Sequence, residues 1–206
     1  MRNTFLIISV ASILSLNFFF LPFVAATDFV RAPDWDNRAP GYEHTTPLND
    51  DGRGNLIYLD RHHVDCGNKG LVKFRLFRRD RGRIAYQYSC GSRSMGQITT
   101  KRTGTNNDGN GNIIFLDRHH VNCGNKALLG FRLFRPTGST IAYKYTCGSR
   151  SMGQITTKRT GTNNDGNGNL IFLDRHHVNC GNKVLLGFRL FRPTGSTIAY
   201  EYTCGY

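Results

Sequence analysis

Leu128-Leu129-Gly130-Phe131-Arg132-Leu133-Phe134-Arg135 and, shortly after it, Ile141-Ala142-Tyr143-Lys144-Tyr145-Thr146-Cys147 decide the reading of this chain. Alternation with a period of two puts Leu129, Phe131 and Leu133 on one face of the first run. It puts Ile141, Tyr143, Tyr145 and Cys147 on one face of the second. The five-residue connection Pro136–Thr140 carries Gly138, so the two runs are expected to form a hairpin. Ile113-Ile114-Phe115-Leu116 upstream reads as a further short strand, and Gln154–Thr160 downstream as a weak fourth. No window keeps a 3.6-residue period over three turns, so helix content should be near nil.

The same pattern occurs three times. A shift of 57 residues lays Asn49–Thr105 on Asn106–Thr162, and Asn106–Gly148 on Asn163–Gly205. The second and third units differ only at Ile113/Leu170, Ala127/Val184 and Lys144/Glu201. The first is more diverged, chiefly at Arg79–Arg83. The expected fold is therefore all-β, with three tandem four-stranded units at 49–105, 106–162 and a truncated 163–206. The third unit lacks a copy of Gly91–Thr105, and the leader 27–48 is about the right length to supply the missing strand. Closure by that strand would remove two exposed edges. A closed, pseudo-threefold β-prism or trefoil-like body is thus expected, with an open row of small domains as the alternative.

Cys66, Cys90, Cys123, Cys147, Cys180 and Cys204 fall two to a unit at one spacing. The repeat makes 66–90, 123–147 and 180–204 the simplest pairing, one disulfide per unit. Each would close a loop around one hairpin and stabilise by roughly 3 kcal/mol in the chain-entropy picture. The stretch Cys-x4-Leu-x-Gly-Phe-Arg-Leu…Tyr-x-Tyr-x-Cys (Cys123–Cys147) is loosely similar to segments of extracellular dermatopontin-like and vitelline-membrane β-prism proteins. That resemblance spans one hairpin per unit and transfers no function.

Ahead of the repeats, Arg2 precedes the apolar run Phe5–Phe23, which ends in Val24-Ala25-Ala26. Residues 1–26 read as a secretory signal peptide rather than a membrane anchor, and no transmembrane segment is expected. An even cysteine count suits an oxidising, extracellular location. Loss of Arg2 with that segment lowers the formal charge only from +13 to +12. Such an excess favours polyanions: sulfated or uronic glycans, anionic lipid, or, adventitiously, nucleic acid.

Three constellations could carry chemistry. Leu-Asp-Arg-His-His-Val recurs with His62 and His63, His119 and His120, and His176 and His177. As a continued strand it would put Asp117, His119 and Val121 on one face. It reads first as a polar knot at each strand end, and secondly as a ligand or zinc site. No nucleophile recurs beside it, so no catalytic residue is assigned and an enzyme is not expected. The loop Asn106–Asn112 with Asp117 has calcium-loop spacing through Asp108, Asn110 and Asp117, and again through Asp165, Asn167 and Asp174. Asn and Gly are equally what a tight turn needs, and the plain turn is preferred. No cofactor is assigned, calcium and zinc being the lesser alternatives. Lys101, Arg102, Lys158, Arg159, Arg93 and Arg150 are the expected polyanion or glycan contacts. The function expected is a secreted, lectin-like or matrix binding protein, multivalent for extracellular glycans and without a specific nucleic-acid partner. The alternative is a defence or toxin-like effector acting on anionic membranes.

Overall fold

A computed structural model describes residues 42–80 and 82–206. The expected signal peptide 1–26 and the leader up to residue 41 lie outside the described residues. The leader contributes β1 (His44–Thr45), and unit one contributes β2 (Asn49–Asp50), β3 (Val64–Asp65), β4 (Lys69–Arg78), β5 (Arg83–Ser94) and β6 (Thr99–Arg102). Unit two contributes β7 (Asn106–Asn107), β8 (His120–Asn122), β9 (Lys126–Thr137), β10 (Thr140–Ser151) and β11 (Thr156–Arg159). Unit three contributes β12 (Asn163–Asn164), β13 (His177–Asn179), β14 (Val184–Thr194) and β15 (Thr197–Gly205). The chain is all-β, in three similar sheets, each with its own disulfide.

The hairpins β4–β5, β9–β10 and β14–β15 form the three sheet centres. A two-residue turn, Gly138-Ser139, joins β9 to β10, because both strands run further into the connection than the sequence suggested. Cys66–Cys90, Cys123–Cys147 and Cys180–Cys204 pair as the repeat implied, each with Cα atoms 5.6 Å apart.

Each sheet also takes a short strand from another unit. β3 of unit one pairs with β9, β8 of unit two with β14, and β13 of unit three with β4. The loan therefore passes from one to two, two to three, and three back to one. On the other side, β6 pairs with β10 and β11 with β15, Lys101 opposite Tyr145 and Lys158 opposite Tyr202. The leader residue His44 takes the same place opposite Tyr88 of β5. None of the three sheets closes on itself.

Two local readings are corrected. Ile113–Arg118 is a 3₁₀ segment rather than a strand, as are Leu56–Arg61 and Leu170–Arg175. Asn112 Oδ1 accepts from Ile114 N–H at 3.0 Å and turns the chain. The period of three then buries Ile113, Leu116 and His119 together. The second correction concerns β9, where Gly130 pairs with Thr146 but Leu128 with Cys147, leaving Leu129 as a bulge. Leu128 thereby joins Phe131 and Leu133 in the main core, and Leu129 packs instead with Met95 and Ala127. On β10 the alternation runs unbroken, and Ile141, Tyr143, Tyr145 and Cys147 all face the core.

The three sheets meet through aromatic rings. Phe74, Phe131 and Phe188 sit mutually 4.8–4.9 Å apart between centroids, tilted or edge to face. Tyr86, Tyr143 and Tyr200 surround them, each touching the Phe of its own hairpin and that of a neighbour. Such pairs contribute about 0.5–1.5 kcal/mol each beyond area burial. Burial pushes the hydroxyl pKa values of all three tyrosines up.

Candidate functional site

The two histidines of each Asp-Arg-His-His element have different surroundings. His62, His119 and His176 are buried, and their Nδ1 atoms lie 2.9 Å from the hydroxyls of Thr46, Thr103 and Thr160. Those hydroxyls accept the backbone N–H of Tyr86, Tyr143 and Tyr200 at 2.9 Å. The histidine thus ties its 3₁₀ segment to the long strand behind it. Each ring meets a tyrosine edge to face, and its Nε2 is buried without a hydrogen-bond partner. Burial holds His62 and His176 down at about 4 and lowers His119 as well, so the rings are neutral at physiological pH. His63, His120 and His177 are exposed. His120 lies opposite Arg189 and His177 opposite Arg75. Among the described residues no three His, Cys, Asp or Glu side chains come together to hold a metal.

In the Asn-Gly loops, Asp108 Oδ1 accepts from Asn110 N–H at 3.0 Å and Oδ2 lies 3.8 Å from Arg135. Asp165 does the same with Asn167 and Arg192, at 3.0 and 4.0 Å. Asn110 and Asn167 adopt φ of +56°, in the left-handed region that asparagine tolerates. Asp117 and Asp174 lie apart from these loops, on the 3₁₀ segments. Burial raises the Asp174 pKa, opposed by the charges of Arg78, Arg175, His177 and Arg75. That the three loops meet leaves no mark in the residue pattern. Asn55 faces Gly111, Asn112 faces Gly168, and Asn169 faces Gly54, around one open polar depression lined by Gly, Asn and Arg53.

The basic residues fall into three settings. Arg93 and Arg150 flank a cleft of about 360 Å³ with Lys183 on its rim and Met95, Met152 and Val184 on its walls. Lys101 and Arg102 stand on edge strand β6 opposite Tyr145 and Lys144. Tyr145 is a core residue, so Lys101 and Arg102 project to opposite faces of the sheet. Lys158 and Arg159 repeat this on β11.

Arg102 and Arg159 nonetheless differ in their partners. Arg159 donates to Glu201 at 2.7 Å, and Glu201 also holds Arg189 at 2.8 Å. Those two guanidiniums keep the Glu201 carboxyl below its usual range. In the first sheet Gln87 accepts twice from Arg75, at 2.7 and 3.0 Å. In the second sheet the central residue is Lys144, with Arg102 and Arg132 directly opposite on either side. None of those three has an ion pair among the described residues. The Lys144/Glu201 difference stands in the sequence, but its placement between two arginines needed the strand register. Against known proteins, no family model, no curated protein and no solved structure matches this chain.

Proposed function

We propose that this is a secreted, non-enzymatic protein that binds extracellular anionic glycans through the outer faces and edges of its sheets, lectin-like and multivalent. The supporting observation is the arrangement of cations: Lys101, Arg102 and Lys158 lie exposed on short edge strands, and Arg93 and Arg150 rim an open cleft. The formal charge of +12 that remains without residues 1–26 is beyond what solubility asks. We read the three sheets as a closed, pseudo-threefold body of the β-prism kind. The strand passed round from unit to unit and the Phe74–Phe131–Phe188 cluster support this. A rigid carrier of several weak sites gains avidity of roughly 10² or more without any tight single site. The disulfides suit an oxidising location, and no helix among the described residues is long and apolar enough to cross a membrane.

One observation favours the second reading, an effector on anionic membranes. Ile98 and Ile155 are 51 % and 49 % exposed, each three residues ahead of a Lys-Arg pair. Apolar anchors beside cations suit a lipid headgroup surface. A glycan array at low and physiological salt, run beside leakage of anionic vesicles, separates the two. Saturable, sugar-dependent binding without leakage supports the glycan reading, and leakage without glycan binding overturns it.

A further inference from the structure

We infer that the outer face of the sheet formed by β3, β9, β10, β6 and β7 is the principal anion site, and that its ligand is a sulfated polysaccharide spanning Arg102, Lys144 and Arg132. This rests on the glycan reading above and assigns it to one of three otherwise similar sheets. Like charges directly opposite in a strand pair are destabilising. Here two such pairs share Lys144, with Arg102 on one side and Arg132 on the other. In the third sheet Glu201 relieves the same crowding between Arg159 and Arg189, and in the first sheet Gln87 stands between Arg75 and the uncharged Thr45. Units two and three differ at only three of their aligned positions, and the one that reverses charge is this one. A local rule broken at a single place in a repetitive protein points to a ligand that compensates for it.

The geometry suits a polymer rather than a single small anion. Neighbouring strands lie about 4.8 Å apart, so three cations stand in a row roughly 10 Å long at the backbone, more positive charge than one sulfate ester neutralises and a spacing that successive sulfates of a polymer can match. Arg102 is steadied over the Phe134 ring, 5.2 Å from its centroid, which limits the entropy lost on binding. The acidic residue of β3, Asp65, gives its carboxylate to Gly67 N–H at 2.8 Å and forms no ion pair with the row.

The natural repeat supplies the test. Lys144→Glu recreates in unit two the residue of unit three, where Glu bridges two arginines, and Glu201→Lys does the reverse. Lys126→Glu, at the far end of β9 opposite Ser151, changes net charge equally and is the control. Full-length variants are eluted from immobilised heparin with salt and titrated with soluble heparin. Lys144→Glu should weaken binding by about tenfold or more beyond the control, as expected when charge-assisted contacts are lost. Glu201→Lys should bind more tightly than wild type. Without ligand, Lys144→Glu should melt no lower than wild type, which shows that the loss is not misfolding. If wild type binds heparin but Lys144→Glu and Lys126→Glu weaken it equally, the site is wrong and the glycan reading stands. If wild type does not bind heparin, both fall.

Discussion

Acidification should destabilise this protein well above the pH at which carboxylates protonate. The groups responsible are His62 and His176, whose rings are fully buried and held down at about 4 by desolvation. Unfolded, each returns to about 6.5. Between those values the unfolded chain binds protons that the folded chain refuses, so stability falls as pH drops. The loss begins as pH passes below about 6.5 and is complete once it reaches about 4. A gap of that size corresponds to roughly 3 kcal/mol per ring, against the 5–15 kcal/mol that typical domains possess. His119, His120 and His177 are shifted the same way by burial, whereas the raised Asp174 opposes the trend in its own range. Urea unfolding at intervals from about pH 8 to about pH 4, disulfides intact, reads the slope directly. His176→Gln should be less stable than wild type at neutral pH yet show a shallower dependence on acid. A wild-type midpoint that stays flat across the window, or a variant with the full wild-type slope, would refute the neutral buried-histidine account.

Gly109→Ala should cost several kcal/mol, since φ is +59° there and a Cβ would overlap the Phe115 ring; chemical denaturation against a surface Gly138→Ala control measures it. Phe131→Ala opens the aromatic cluster where all three sheets meet and should cost about 3–5 kcal/mol by the same assay. Unit two excised as residues 106–162 should remain unfolded even with its disulfide formed, because its hairpin loses β3 and its own β8 loses β14; a dispersed amide spectrum would contradict this.

The hairpins and disulfides were legible because β10 alternates strictly and the cysteines repeat with it. The strand loans were not, because His-Val-Asn carries no mark of which hairpin it will join. The bulge at Leu129 leaves no mark in the residue pattern yet reverses the face of what precedes it. The four apolar residues Ile113–Leu116 suit either period, and the Asn112 side chain decides for the turn. At the candidate site, Lys101 and Arg102 looked equivalent to Lys158 and Arg159. The difference lies in what stands opposite, Lys144 or Glu201, and only the ladder register shows it.

The most direct test of the glycan account is to titrate the full-length protein with size-defined heparin fragments and with the same fragments desulfated but retaining their carboxylates. The titrations are run through a salt series that includes physiological strength, where exposed charges are screened over about 8 Å. The account predicts saturable binding to the sulfated fragments that weakens steeply with salt and drops by about tenfold or more on desulfation. Equal affinity for both sets, or no binding at physiological salt, would contradict it.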